Sequence, residues 1–129
     1  MAGIVESRVR PNIYAACSIP PAAAPTEQDC RDIADMFLIQ LNWRIFGSVP
    51  ELSNRRVLAA FTLENTADGW MLHALLRCPD MMSIRDFSHL LTDEWQRGGW
   101  GPDISVRLRD AGCVRQAVTH GLDTFLITT

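Results

Sequence analysis

Few side chains in this sequence are of the types that carry out chemistry, and they form no recognised catalytic pattern. His73 lies in the apolar stretch 70–77, and Glu64 ends the apolar stretch 56–64. A histidine in such a stretch is by default a hydrogen-bonded core residue, and an acid before a polar turn is by default solvated. Cys113 and His120 would share one face of a helix, as a nucleophile and its base can, but any two residues two helical turns apart would do so. We interpret His89 and His120 as surface residues.

The sequence also lacks the local motifs of several enzyme classes. It has no phosphate-binding glycine-rich loop ending in Lys-Ser or Lys-Thr, no Gly-x-Ser-x-Gly elbow and no His-Glu-x-x-His zinc motif. Its four cysteines include no Cys-x-x-Cys pair, so we interpret them as buried free thiols. No cofactor is expected.

Arginines and one tryptophan are the remaining candidates for a binding site. Arg107 and Arg109 would lie on one face of a strand, and Arg55 and Arg56 stand at the start of another. Such arginines could contact phosphates, although scattered arginines are more often only solvated. Trp100 lies among glycines, where no helical or strand pattern accounts for it, and we include it as a candidate binding residue.

Composition and charge limit the class of protein. The chain has 129 residues, of which 47% are hydrophobic and 21% charged, as in an ordinary globular domain. The net charge of −3 argues against a protein built mainly to bind phosphates, although nucleic acid is not excluded. All twelve basic residues are arginine. Since no apolar stretch is long enough to span a bilayer and no signal peptide is evident, we expect a cytoplasmic protein without membrane contact.

The periodicity of apolar residues predicts the first elements. Residues 1–11 are expected to be a flexible arm, and residues 12–19 a first strand. The proline-rich segment 20–25 is a connector, because proline lacks the N–H that a ladder needs. Thr26 and Asp29 resemble a capping box, which predicts a helix that begins there and ends at Gly47. Its apolar stripe consists of Cys30, Ile33, Ala34, Phe37, Leu38, Leu41 and Ile45.

The second half of the chain predicts a hairpin, a helix and further strands. Residues 56–64 and 70–77 read as paired strands around a turn at 65–69. Ser83 and Asp86 predict the start of a second helix, which has Phe87 and Leu91 on its buried face and which the glycines from Gly98 onwards end. Strand 104–109, a short helix at 113–120 and an edge strand at 123–128 follow. This order predicts a single α+β sandwich over residues 12–129, with a mainly antiparallel sheet of four or five strands and helices on one face.

The same segments resemble the catalytic domain of the HUH-type rolling-circle replication initiators of plasmids and phages. The resemblance is a matter of order and approximate spacing over residues 12–128, and no single block is diagnostic. It covers the stretch from Ile33 to Gly47, the two hairpin strands, the helix around 87–95, the Gly98-Gly-Trp-Gly101 turn, strand 104–109 and segment 112–123. It implies a sheet of the RNA-recognition-motif or ferredoxin-like type.

In that family two histidines on a central strand and an acid on the neighbouring strand hold one divalent metal ion. The resemblance places the acid at Glu64, the second histidine at His73 and the first at Met71. A thioether is a poor ligand for magnesium or manganese, which prefer oxygen. We therefore expect Glu64 and His73 to be remnants of a metal site.

The family's nucleophile is a tyrosine in the pattern Tyr-x-x-Lys on a helix near the C-terminus. This pattern aligns with Ala117 to His120 or, one residue earlier, with Gln116. Tyr14, the only tyrosine, stands near the opposite end of the sequence, and the chain has no lysine. The resemblance therefore implies a degenerate domain that does not nick DNA by the family mechanism.

These observations predict a non-catalytic binding protein derived from the initiator of a mobile genetic element. Its expected partner is a host protein or ribonucleoprotein complex that handles nucleic acid, which it would inhibit or remodel in the manner of an anti-CRISPR protein. Two alternatives remain: a DNA-binding regulator that recognises an origin-like hairpin, and a residual single-stranded DNA nickase with another nucleophile.

Overall fold

The computed structural model of this protein describes residues 10–47, 57–108 and 123–127. Its elements are β1 (Ile13–Ile19), α1 (Glu27–Phe46), β2 (Ala59–Thr66), β3 (Gly69–Leu76), α2 (Ile84–Gly98), β4 (Ile104–Leu108) and β5 (Asp123–Ile127). The predicted helix at 113–120 and most of the predicted arm lie outside the described residues. So do four candidate site residues, Arg55, Arg56, Arg109 and Ala117.

The five strands form one sheet in the order β4-β1-β3-β2-β5, and all neighbouring strands are antiparallel. Both helices pack on one face of this sheet, which gives the predicted α+β sandwich with a ferredoxin-like arrangement. The strand predicted at 123–128 lies at the edge, next to β2. None of the helices in the described part of the chain is long and apolar enough to cross a membrane.

Helix α1 begins and ends as the sequence predicts. The Thr26 hydroxyl accepts from the Asp29 backbone N–H, and the Asp29 carboxylate accepts from the Thr26 backbone N–H, so two of the helix's unpaired donors are satisfied. Gly47 ends the helix in the left-handed conformation, with φ 70°. Of the predicted apolar stripe, all but Ile45 is buried, and Ile45 packs at the edge of the core.

The β2–β3 hairpin is longer than the sequence predicts. The polar residues Asn65 and Thr66 continue β2, and only Ala67 and Asp68 form the turn. Gly69 then starts β3 with φ 130°, a conformation that side chains rarely adopt. A Cβ at Gly69 would stand 2.4 Å from the Ile19 carbonyl oxygen, so glycine is also required by close packing against the end of β1. The predicted five-residue turn is wrong because a glycine of this kind permits a tight two-residue turn.

Alternation along the strands separates the two faces of the sheet. In β1 the residues Ile13, Ala15, Cys17 and Ile19 are buried against the helices, and the residues between them are half-buried. The helix-side core includes Phe37 and Leu41 of α1 and Phe87 and Leu91 of α2, all of them fully buried as predicted. We call the opposite side of the sheet the distal face; it carries Tyr14, Ala16 and Ser18 of β1 and their cross-strand partners.

Candidate functional site

The distal face brings together three side chains from three neighbouring strands. Ala16 lies opposite His73, and His73 lies opposite Thr62, so β3 runs between β1 and β2 at this point. Tyr14 and Glu64 each stand one diagonal step from His73 on the same face. The prediction that Glu64 and His73 lie on adjacent strands is confirmed. Tyr14 joins them because β1 is the other neighbour of β3.

His73 is hydrogen-bonded at both ring nitrogens. Its Nε2 lies 3.0 Å from Oε1 of Glu64, and its Nδ1 lies 2.5 Å from the Tyr14 hydroxyl. Because a carboxylate can only accept, Nε2 carries the proton and donates it to Glu64. In the neutral ring Nδ1 is then an acceptor, and the Tyr14 hydroxyl donates to it. We call these three side chains the Tyr14–His73–Glu64 relay.

The relay changes the interpretation of both titratable residues. His73 is hydrogen-bonded, as the default interpretation holds, but it lies half-buried on the distal face and not in the helix-side core. Glu64 is partly solvated, with 41% of its side chain exposed, and also binds His73. The carboxylate is therefore more than the solvated acid that its place before a turn suggests.

The residues present do not fit the metal ion that the resemblance implies. A histidine binds a metal through an unprotonated ring nitrogen, yet Nε2 of His73 donates to Glu64 and Nδ1 accepts from Tyr14. Met71, at the first histidine position, offers only a thioether. Within the described residues, no group of three or more histidine, cysteine or acidic side chains is placed to hold a metal ion.

Arg107 borders the relay on the β4 side. Its guanidinium carbon lies 4.8 Å from the centre of the Tyr14 ring, a cation–π distance. Tyr14, Ala16, Ser105 and Arg107 line a pocket of about 140 Å³. Pockets that enclose small-molecule ligands have about 300 Å³ or more, so this one is too small to enclose such a ligand.

Trp100, a candidate binding residue, packs against the core. It is half-buried, and its ring centre lies 5.4 Å from that of Trp95 and 6.0 Å from that of Phe37. The ring therefore covers one end of the core between the helices. Its place among glycines, which the sequence left unexplained, is accounted for by this packing.

Three of the four cysteines lie in the described residues and are buried free thiols, as predicted. Burial raises the pKa of Cys17 far above its ordinary value. Burial, together with the nearby carboxylates of Asp29 and Glu27, raises the pKa of Cys30 to about 11. The pKa of Cys78 is also raised by burial. Because thiolates are the reactive form, these cysteines are not candidate nucleophiles.

Tyr14 is the residue of the candidate site that sequence reasoning missed. Its position was noted only as being far along the chain from the expected nucleophile. In the expected ferredoxin-like sheet, however, the first strand lies beside the hairpin strand that carries His73. The alternation of β1 places Tyr14 opposite the buried face, so the strand order together with this alternation was the available signal.

Comparisons with models of known families, with curated proteins and with solved structures found no match. The resemblance to HUH initiators therefore stays a prediction from the sequence.

Proposed function

We propose that this chain is a non-catalytic binding protein, derived from a mobile-element replication initiator, that inhibits or remodels a host protein complex handling nucleic acid. The observation that carries this proposal is that the residues at the expected metal position do not suit a metal ion, since Tyr14 and Glu64 occupy both His73 nitrogens and Met71 stands in the first histidine position. A metal ion bound to His73 would have to displace one of these two hydrogen bonds, and the side chain at the first histidine position would offer it only the thioether of Met71. A ferredoxin-like sandwich is thus combined with a distal face whose polar groups bind each other.

Charge favours a protein complex over bare nucleic acid as the partner. The net charge is −3, and the basic groups are arginines without a single lysine. A protein that binds nucleic acid through its phosphates needs many cationic contacts. A chain with a net negative charge is poorly suited to supply them. A protein surface can be recognised instead by a few anchors in an interface of about 800 Å² on each side.

Arg107 is the anchor that the described residues offer. It is exposed on the distal face and stacks against Tyr14, which holds the guanidinium in place. A pre-positioned arginine loses less conformational freedom on binding than a solvated one. An anti-CRISPR type of action would then consist of covering a surface of the host complex.

The test uses the tagged chain, expressed in a host with an active CRISPR defence. We expect phage plating to recover when the wild type is expressed, and the host complex to co-purify with it. Arg107→Ala should weaken binding of that complex by more than tenfold, whereas Arg31→Ala, at a partly exposed arginine on α1, should not change it. Met71→His, which restores the first ligand position, should leave the effect unchanged. If plating does not recover and nothing binds in an Arg107-dependent way, the proposal fails.

A second candidate function is cleavage of single-stranded DNA by Tyr14, and the relay is the observation that favours it. A hydroxyl bonded to a histidine that is in turn bonded to a carboxylate is the arrangement of an activated nucleophile. The Tyr14 oxygen would bond to phosphorus and pass its proton to Nδ1 of His73. The bond between phosphorus and the deoxyribose oxygen would break, and His73 would return that proton to the leaving oxygen. Incubation with labelled single-stranded DNA tests this: an adduct formed by the wild type and lost in Tyr14→Phe would replace the first proposal.

A binding assay with a labelled DNA hairpin distinguishes the third possibility, a DNA-binding regulator, from the first two. An origin-like hairpin bound without cleavage, with an affinity that falls steeply as salt rises, would indicate phosphate contacts. We expect the chain to show no such salt-dependent affinity at physiological ionic strength.

A further inference from the structure

Strand β4 forms one edge of the sheet and pairs with β1. The Ser18 backbone N–H donates to the Asp103 carbonyl oxygen at 3.0 Å, so these two residues form a hydrogen-bonded pair. Such pairs alternate with non-hydrogen-bonded pairs along antiparallel strands. The backbone groups of Ser105 and Arg107 therefore face β1, whereas those of Ile104, Val106 and Leu108 face outward.

Among the described residues, this edge has few of the features that commonly prevent edge pairing. Edge strands are usually protected by lysine, proline, a bulge or a covering segment. β4 has the sequence Ile-Ser-Val-Arg-Leu, without lysine or proline. Leu108 is 64% exposed, more than any other large hydrophobic residue among those described. An apolar side chain thus stands beside outward-facing donors and acceptors.

We propose that β4 pairs with β4 of a second copy of this chain, antiparallel and about a two-fold axis at Val106. In this register Val106 lies opposite Val106 of the second copy, and Ile104 lies opposite Leu108 of the second copy. Every outward N–H and C=O of the strand then has a partner, because all three pairs are of the hydrogen-bonded kind. The exposed Leu108 gains an apolar neighbour on the helix side of the joined sheet.

The neighbouring registers are less favourable. An axis at Arg107 would place the two Arg107 side chains directly opposite each other, and like charges in that position are destabilising. An axis at Ser105 would place Leu108 opposite Pro102 of the second copy, which has no N–H to donate. With the axis at Val106, Arg107 faces Ser105. The register about Val106, which gives every outward backbone group a hydrogen-bond partner, therefore also avoids placing like charges opposite each other.

The dimer is expected to be weak. One short strand pair buries less than the roughly 1,200 Å² of a standard stable interface, so the two copies should associate reversibly. This inference goes beyond the proposed function and does not rest on it, since self-association requires neither a host partner nor the relay.

Sedimentation velocity from about 5 to about 500 μM tests the proposal, since a weak dimer forms by mass action. We expect the mass of the purified chain to rise from 14.4 kDa towards twice that value. Val106→Pro removes an outward N–H without removing a bond to β1, so it should keep the fold and stay monomeric. Val106→Thr keeps the N–H and the β-branched shape, and should dimerise as the wild type does.

Amide exchange provides a readout that needs no variant. The N–H groups of Ile104, Val106 and Leu108 should exchange more slowly as the concentration rises, whereas that of Ser105, already bonded to β1, should not change. A wild type that stays monomeric at about 500 μM would overturn the proposal, since even a weak strand-pair dimer should form by mass action at that concentration. So would concentration-independent exchange at the outward amides, or a folded Val106→Pro that still dimerises.

Discussion

At the scale of single residues, the hydrogen-bonding capacity of the His73 ring is used entirely within the protein. Both nitrogens are engaged by protein groups, and 18% of the side chain is exposed. The sequence could predict the strand and the adjacent acid, because both follow from alternation and the hairpin. It could not predict the Tyr14 bond, which depends on the register between strands far apart in the chain.

Metal binding tests this interpretation of His73. A metal ion that binds specifically to the native state raises the melting temperature by mass action. Because both His73 nitrogens are occupied, we expect millimolar magnesium or manganese to leave the melting temperature unchanged. Differential scanning fluorimetry of the wild type and of Glu64→Ala measures the effect. A clear shift in the wild type that Glu64→Ala abolishes would show that the metal site survives.

The thiols give a second prediction at this scale. Cys17, Cys30 and Cys78 are buried with raised pKa values, so they should not react with a thiol reagent at pH 8 while the chain is folded. Cys113→Ser isolates these three, and all three should react in denaturant. Rapid modification of the folded variant would contradict the burial described here.

At the scale of elements, the contacts that join helices to their neighbours were hidden from the sequence. Asn42 is a polar residue of α1 that does not belong to its apolar stripe, yet it is fully buried. Its Nδ2 donates to the Leu38 carbonyl at 2.9 Å, and its Oδ1 accepts from the Val57 backbone N–H at 2.7 Å. Asn42 thus joins α1 to the residues that precede β2. Arg44 similarly joins α1 to Asp93 and Glu94 of α2.

Asn42→Ala should destabilise the protein by about 1–3 kcal/mol, because the buried Val57 N–H loses its acceptor. Trp43→Ala is the matched control: Trp43 is the next residue on α1 and is 52% exposed, so its replacement should change the free energy of unfolding by no more than about 0.5 kcal/mol. Urea denaturation measures both. An equal decrease in the free energy of unfolding in both variants would mean that the Asn42 hydrogen bonds do not stabilise the fold.

At the scale of the whole molecule, the sequence predicted the sandwich because apolar periodicity, caps and turn residues all agree with it. Phe37, Leu41, Phe87 and Leu91 are predicted core residues, and all are fully buried. The strand order and the pairing of β1 with β4 were not predictable from periodicity, which carries no information on which strands are neighbours. The candidate site depends on that order, so the sequence predicted Glu64 and His73 but not Tyr14.

Leu41→Ala and Phe87→Ala should each cost about 2–5 kcal/mol, because each leaves a cavity between the helices and the sheet. Met36→Ala, on the outer side of α1 with 46% exposure, is the control and should cost much less. Urea titrations with an unchanged slope would show that stability alone has changed. Losses well under 1 kcal/mol at both core positions would contradict this packing.

The position of β1 between β3 and β4 has a consequence for the order of folding. Ile13 pairs with Leu76 on one side and with Leu108 on the other, so both neighbours of β1 are synthesised long after it. The β2–β3 hairpin, in contrast, closes through a two-residue turn as soon as its strands exist. Because distant pairings must first bring the chain ends together, β1 is expected to join the sheet late and to limit the folding rate. Until then, the growing chain presents an apolar strand without a neighbour, and chaperone binding or aggregation at β1 competes with its docking.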